Sequence, residues 1–381
     1  MSKLRVAFFI DSWRPGSGTE NQLKGMLDHF DPSLVEAELF TLRNEIPPDL
    51  RREFPCPVTC LGVGSLLSPK SILGYASLVS RLRKGRFDVA MIYFVDSNLY
   101  MVPACRWAGI ESIVINRRDM GYWYEPGILK KLQMVNRAAD YFLANSQAVK
   151  NQVILHEGFQ PERIHVLPNG IWNAEVGYIS QSRETGSNRF NLPLEKRFVG
   201  ITASLRPVKR VDRFLQVAAV VSAAVSDVHF LVAGKGGLLP ELQGQAEKLG
   251  IGSRVHFLGQ VDDVPNLLAK FDIGVLTSES EGLSNSLMEY ALAGVPAVTF
   301  DTGGNKEVVM EGETGFLVQE GDTDAMAGKV IDLLEDSSLR TRMAQRGREE
   351  CLQRFSSEKI MAEIMTFLKG IHKAGRRNYY S

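Results

Sequence analysis

Glu281-Gly-Leu-Ser-Asn-Ser-Leu-Met-Glu289-Tyr-Ala-Leu-Ala-Gly294-Val-Pro296 is the stretch that decides the fold. In its second half Leu287, Met288, Tyr290, Ala291, Leu292 and Ala293 surround one carboxylate, Glu289. A helix apolar on nearly every side is a buried one, and a buried carboxylate is costly unless hydrogen bonds reach it. Glu289 is therefore expected to point along its helix toward a ligand, with ribose hydroxyls as suitable donors. Gly294-Val295-Pro296 ends the helix and feeds Ala297 to Phe300, which reads as a buried parallel strand. Upstream, the apolar run Asp272 to Leu276 gives way to polar Thr277 to Gly282. That places Glu281 in a loop at the carboxyl end of a strand, where open α/β sheets bind ligands. Two glutamates at this spacing also fit a solvated loop acid and a tolerated helix acid. The full succession of strand, loop, helix, Gly-Val-Pro and strand favours a binding site.

The segment resembles the donor-site signature of retaining GT-B glycosyltransferases of the group 1 (glycogen-synthase-like, family 4) type: Glu, seven residues, Glu, a small-residue helix and Gly-Val-Pro. The resemblance implies that Glu281 approaches the donor sugar and Glu289 holds the ribose of a nucleotide-sugar. It also implies donor contacts along Gly282, Leu283, Ser284, Asn285 and Ser286.

The 381 residues suffice for two domains with separate cores. Lys plus Arg, 44, equals Asp plus Glu, 44, so net charge gives no reason to expect a nucleic-acid partner. Cys56, Cys60, Cys105 and Cys351 show neither metal spacing nor a disulfide framework, and Cys56 and Cys60 read as buried thiols of a cytoplasmic protein. No run of about twenty apolar residues is present to span a bilayer. The opening Met-Ser-Lys-Leu-Arg-Val-Ala-Phe-Phe-Ile-Asp11 is expected to be a first strand rather than a signal peptide.

Short apolar runs alternate with helical stretches, the pattern of βαβ units around parallel sheets. Val6 to Ile10, Ala37 to Leu42, Val89 to Phe94, Ser112 to Ile115 and Tyr141 to Ala144 are the strands expected in the first half. Phe198 to Ala203, His229 to Ala233, Val255 to Leu258, Asp272 to Leu276 and Ala297 to Phe300 are those of the second. The expected architecture is α/β, two doubly wound Rossmann-like domains facing a central cleft. Residues 1–172 form an acceptor-side domain, 173–195 a linker or surface excursion, and 196–355 a nucleotide-sugar donor domain. The apolar stripe Ile360, Met361, Ile364, Met365, Phe367 and Leu368 gives the tail, about 356–381, a face to bury. By the resemblance that tail packs back on the first domain.

Further elements fall in the order that the resemblance requires. Gly16-Ser-Gly18-Thr19-Glu20 opens a helix after the first strand. Its glycines would let backbone amides approach an anion, or simply form a tight turn, and Asn21 denies it the third glycine of a dinucleotide fingerprint. Ser204-Leu205-Arg206-Pro207-Val-Lys209-Arg210 begins the helix after the first strand of the second half. Cations there stabilise the charge of a departing diphosphate, although solvated charges near a helix start have the same pattern. By the resemblance Lys209 matches directly, whereas Ser204 stands where an arginine is usual and Arg206 is its candidate replacement. Gly234 lies in a Gly-x-Gly turn and Val261 in the turn expected near the base, while Asp301 to Glu307 resembles the family's Gly-Gly-x-x-Glu loop. The run Asn116-Arg117-Arg118-Asp119 follows a strand and is expected to face the cleft. On the acceptor side stand Arg118, Asp119, Glu20 and Asn145, with Asn145-Ser146 also an ordinary helix start. Asp262-Asp263 reads as a helix cap.

No His, Cys and Asp cluster and no Asp-x-Asp at a strand end is seen, so neither cofactor nor metal is expected. The function implied is transfer of a sugar from a nucleoside-diphosphate sugar, a UDP-sugar, to a hydroxyl of a glycan, lipid-linked or small-molecule acceptor. A nucleotide-sugar 2-epimerase and a non-catalytic sugar-nucleotide or glycan binder are the alternatives on the same fold. Phe54 to Phe87 contains no acid but holds Lys70, Arg81, Arg83, Lys84 and Arg86 beside Leu66, Leu67, Ile72, Leu73, Tyr75, Leu78, Val79 and Leu82. Such a basic amphipathic segment suits peripheral contact with an anionic membrane, and equally an ordinary sheet-packing helix.

Overall fold

A computed structural model describes residues 3–44, 46–172, 190–193 and 195–379, with side chains described through His372. Of the stretch 173–195 expected as a linker, 173–189 and 194 lie outside the described residues. The chain divides into two compact units, Met1–Trp172 with Ser357–Ser381, and Asn173–Ser356.

In the first unit seven strands pair in parallel: β1 Leu4–Ile10, β2 Val35–Thr41, β3 Val58–Cys60, β4 Val89–Tyr93, β5 Ser112–Arg117, β6 Tyr141–Ala144 and β7 Ile164–Val166. Their order across the sheet is β3-β2-β1-β4-β5-β6-β7. The second unit has β8 Arg197–Thr202, β9 Val228–Ala233, β10 Val255–Gly259, β11 Ile273–Leu276, β12 Ala297–Phe300 and β13 Gly315–Val318. Its order, β10-β9-β8-β11-β12-β13, repeats that doubly wound scheme, again all parallel. Strand order reverses between β1 and β4 and between β8 and β11, and ligands bind at the carboxyl ends of such switch points. The inner strands read as continuous apolar runs because helices cover both faces: Val6, Ala7, Phe8, Val199, Ile201, Ile273 and Val275 are wholly buried.

Three short strands, β3, β7 and β13, are absent from the runs expected as strands; all three lie at sheet edges, where β3 and β7 are only partly buried and carry no continuous apolar run. The last helix, Ser357–Tyr379, buries Ile360, Ile364, Leu368 and Ile371 in one cluster with Leu4, Val6 and Phe8 of β1. Spacing of three and four residues puts those four side chains on one helical face.

Candidate active site

At the switch point of the second unit, three loops are stitched together. The β8 loop passes through a tight turn at Pro207–Lys209 before the Val211–Ala224 helix begins. The Thr277 hydroxyl after β11 donates to the carbonyls of Arg210 at 2.9 Å and Lys209 at 3.2 Å, and the Glu279 amide donates to the Val208 carbonyl at 3.0 Å. From the loop after β12, the Gly304 amide donates to the Glu281 carbonyl at 3.0 Å. These bonds bring Lys209 Nζ within 2.7 Å of Glu281 Oε1. Residues 72 positions apart thus form a charge-assisted pair at the carboxyl edge of the sheet, with Glu281 buried and Lys209 half-buried.

The helix Asn285–Leu292 starts beside this pair, and Ser284, 3% exposed, caps it by accepting the Leu287 amide. Gly282, Leu283 and Ser284 are buried and Asn285 and Ser286 half-buried. Ser286 Oγ donates to the Thr202 carbonyl at 2.8 Å. Tyr290, wholly buried, accepts from both the amide of Thr202 at 2.7 Å and its hydroxyl at 3.0 Å. The Asn285–Leu292 helix therefore grips the last residue of β8, where the loop toward Arg206 and Lys209 departs. Gly274 in β11 makes room for the ring, since a Cβ there would come within 2.4 Å of it.

The Glu289 carboxylate has no hydrogen-bond partner among the described residues, and burial pushes it up to about 7. Its side chain nevertheless keeps part of its surface open. Being desolvated, reachable and unpaired makes Glu289 a candidate binding group. Arg206 is exposed, and its Nε donates to Ser204 Oγ at 3.0 Å, so the serine in the usual arginine slot orients the arginine two positions on. Arg210 is engaged elsewhere: its guanidinium meets Asp212 at 2.8 Å and Glu279 at 3.6 Å, and the hydrogen bond to Asp212 leads in holding its pKa up.

Gly234 and Gly236 serve loop packing. A Cβ at Gly234 would lie 1.8 Å from the Ala203 carbonyl oxygen, and one at Gly236 would lie 2.2 Å from that of Leu205. With φ of +148° at Gly234 and the Leu205 amide donating to the Lys235 carbonyl, this turn buttresses the Arg206 loop. Val261 is half-buried in the turn after β10, and Asp263 caps the Val264–Leu268 helix.

The first unit gathers its candidates at its own carboxyl edge. Gly16, φ +79°, is exposed ahead of the Gly18–His29 helix and Gly18 is exposed at its first position, and burial raises the Glu20 carboxyl in the first turn. The Arg118 guanidinium donates to Asn169 Oδ1, and Asn145 Nδ2 donates to the Arg118 carbonyl at 3.3 Å, so one cluster unites the ends of three strands. Burial lowers the Arg118 pKa. Asp119 accepts from the Gly121 amide and Trp123 Nε1, both at 2.8 Å, and shapes the following turn. Ser146 caps the Gln147–Gln152 helix by accepting the Val149 amide.

The expectation that all of Asn116 to Asp119 faces a ligand needs correcting, because β5 runs on through Arg117. Arg117 forms a buried pair with Glu157, Nε to Oε1 at 2.6 Å and a terminal nitrogen to Oε2 at 2.9 Å. Tyr124 and Asn136 each donate to the same carboxylate at 2.6 Å. Opposing charges and hydrogen bonds hold the Glu157 carboxyl below its usual range against the burial that would raise it. Sequence reasoning missed this network and the Tyr290 clamp. A tyrosine within a small-residue helix and a glycine inside the apolar run of β11 were the available signals for the clamp. Cys56 and Cys60 are half-buried rather than buried.

Among the described residues, one group of His, Cys, Asp or Glu is close enough to share an ion: Asp88, Glu111 and His372, at the amino-terminal edge of the first sheet. None lies at the Lys209 and Glu281 site.

Residues 182–350 match the family model described as glycosyl transferases group 1, and residues 16–172 match that of glycosyltransferase family 4. The chain belongs to the group 1 glycosyltransferases of family 4. It is 30% identical over 243 residues to the N-acetyl-α-D-glucosaminyl L-malate synthase of Bacillus anthracis, a match covering 64% of this chain and 62% of that protein. The match thus spans less than two thirds of that relative's length. An Escherichia coli UDP-Gal:α-D-GlcNAc-diphosphoundecaprenol α-1,3-galactosyltransferase is 22% identical over 350 residues, 88% of each chain. The crystal structure of Anabaena Alr3699/HepE in complex with UDP and glucose superposes with a TM-score of 0.85 at 23% identity, covering 96% of this chain and 99% of that one. That likeness establishes the GT-B fold, with its two Rossmann-like domains.

Proposed function

We propose that the protein is a retaining glycosyltransferase that moves a sugar from a UDP-sugar to a hydroxyl of a glycan, lipid-linked or small-molecule acceptor, without a divalent metal. The observation that carries this reading is the pair of Lys209 and Glu281 at 2.7 Å, fixed at the switch point beside the unpaired Glu289. In this reading ribose hydroxyls donate to Glu289, while the amino end of the Asn285–Leu292 helix, Lys209 and Arg206 face the diphosphate. As the bond between the anomeric carbon and the phosphate oxygen breaks, charge grows on the departing diphosphate, and preplaced cations stabilise it most there. The acceptor oxygen bonds to the anomeric carbon from the face that the leaving group vacates, and its proton passes to the phosphate oxygen. Configuration is retained. Glu281, held by Lys209, sits against the sugar. Glu20, Arg118, Asp119 and Asn145 of the first unit form the acceptor side.

The uridine assignment draws support from the Anabaena complex with UDP and from the E. coli enzyme's UDP-galactose. A glycan or lipid-linked acceptor accords with the diphosphoundecaprenol substrate named for the latter. A cytoplasmic setting fits the four free cysteines, and peripheral contact with an anionic membrane completes the reading.

The test is a panel of nucleoside-diphosphate sugars, screened for thermal stabilisation of the protein and for hydrolysis with and without excess chelator. The expected result is stabilisation by a UDP-sugar and a hydrolysis rate that chelator leaves unchanged. A loss restored by magnesium or manganese would overturn metal independence. Recovery of an epimerised nucleotide-sugar from donor alone would identify a 2-epimerase, and binding with no turnover would identify a binder.

A further inference from the structure

The basic segment from Phe54 to Phe87 suits either membrane contact or sheet packing, and the structure sorts its apolar residues into two groups. Leu78 and Leu82 of the Pro69–Gly85 helix are buried, and Leu66, Tyr75 and Val79 pack against the same core. That face belongs to the sheet. The other group is left outside: Leu67 and Leu73 are each 82% exposed and Ile72 60% exposed. Three large aliphatic side chains are thus exposed within seven residues at the tip where the helix starts, a closer grouping than the scattered single exposures that need no explanation.

The tip is held rigidly. Ser68 caps the helix by accepting the Ser71 amide, Ser71 Oγ donates to the Ser65 carbonyl at 2.7 Å, and Tyr100 donates to the Ser71 carbonyl at 2.9 Å. Beside it Trp107, 64% exposed, stands edge-on to Tyr75 with ring centroids 5.6 Å apart. An exposed tryptophan with one polar edge suits the boundary between headgroups and acyl chains.

Charge selects the occupant. Lys70, Leu73, Ser77, Arg81 and Lys84 are all exposed at spacings of three and four, so the outward face of the helix is cationic with an apolar end. Between Glu53 and Asp88 the chain itself carries no acidic residue. Arg81 is bound to Thr59 and paired with Glu38 of β2 at 3.4 Å, and Arg83 is bound to the Trp107 carbonyl. No described residue pairs with the side chains of Lys70 or Lys84, which are the cations left free on this face.

We propose that this surface docks the protein on an anionic lipid bilayer, with Leu67, Ile72, Leu73 and Trp107 entering the headgroup boundary and Lys70 and Lys84 facing the lipid phosphates. Apolar insertion and cation attraction act together in such peripheral binding. The proposal sharpens the membrane contact in the functional reading to one tip, and it does not depend on the chemistry at Glu281.

The test is sedimentation of the full chain with vesicles of phosphatidylcholine alone and of phosphatidylcholine with one-third phosphatidylglycerol, at low and high salt. Binding is expected on the anionic vesicles only, weakened about tenfold or more by high salt or by Lys70→Glu with Lys84→Glu. Leu67→Ser with Leu73→Ser should lower it about tenfold or more on the same vesicles. Both positions are exposed, so thermal melting and donor hydrolysis should match those of the unaltered protein. Absence of binding, equal binding to neutral vesicles, or binding indifferent to both pairs would overturn the proposal. So would dimerisation in solution that the serine pair abolishes, which would show a second copy of the chain covering the tip.

Discussion

Glu289→Gln should stabilise the unliganded protein at pH 8 and weaken its hold on donor. Burial raises this carboxyl from an ordinary 4.5 to about 7, and no described donor offsets the burial. The sign follows from linkage. Below pH 4.5 the acid is protonated folded and unfolded, and it makes no difference to stability. Between 4.5 and 7 the unfolded chain ionises while the folded protein keeps its proton, so stability falls as pH rises. Above 7 both states are ionised and the loss is constant. A shift from 4.5 to about 7 amounts to about 3 kcal/mol at most. The part of the side chain that stays open to solvent reduces that figure. Glutamine keeps the shape and never ionises, so the variant should lose no stability across this window and should melt higher than the unaltered protein at pH 8. Donor binding adds a second readout. Hydroxyls that donate to Glu289 favour its ionised form, so binding near pH 6.5, where the free acid is roughly three quarters protonated, should release most of a proton. Isothermal titration of donor in buffers of different ionisation enthalpy measures that release, and melting curves from pH 5 to 8 measure the stability. A glutamine variant no more stable at pH 8, together with proton-neutral binding at pH 6.5, would refute the reasoning.

Tyr290→Phe keeps the ring in the space that Gly274 leaves but takes the acceptor from the half-buried Thr202 amide and hydroxyl, at a cost of about 1 kcal/mol. Urea unfolding should show that loss, and turnover should fall more than donor KM changes, because the clamp positions the Lys209 loop rather than touching donor. Arg206→Ala should slow transfer about tenfold, on the low side of the effect expected of one electrostatic donor; steady-state rates that stay unchanged, while Ser204→Arg raises turnover, would deny Arg206 the role of the displaced arginine. Arg117→Met strands the Glu157 carboxylate in a buried site and should cost about 3–5 kcal/mol in denaturant unfolding. Arg117→Met with Glu157→Met should recover much of it.

The donor half was legible because its signals are local. Strand, polar loop, apolar helix and Gly-Val-Pro follow one another within 25 residues, so Glu281 and Glu289 could be placed from the sequence. Their partners were not, because Lys209 reaches Glu281 across 72 positions and only the switch point of the sheet joins the two loops. Tyr290 and Thr202 stand 88 positions apart for the same reason. Arg117 was read as ligand-facing because the polar run from Asn116 to Asp119 imitates a loop. A buried strand can carry an arginine when a carboxylate from the far side of the sheet edge neutralises it, and Glu157 lies 40 positions on. The basic helix shows the limit of periodicity: it gave an amphipathic helix, but which apolar residues the core takes depends on packing that the pattern does not contain.

The measurement that bears most directly on the central claim is the anomeric configuration of the first product, followed by proton NMR during turnover of an α-linked UDP-sugar by the unaltered protein and by Lys209→Ala. The sugar is expected to appear first in the α configuration. The variant, still folded, should turn over about a hundredfold more slowly, the scale of losing one preplaced charge at a departing diphosphate. A β-configured first product, or a Lys209→Ala variant that works at full rate, would contradict retaining transfer aided by Lys209.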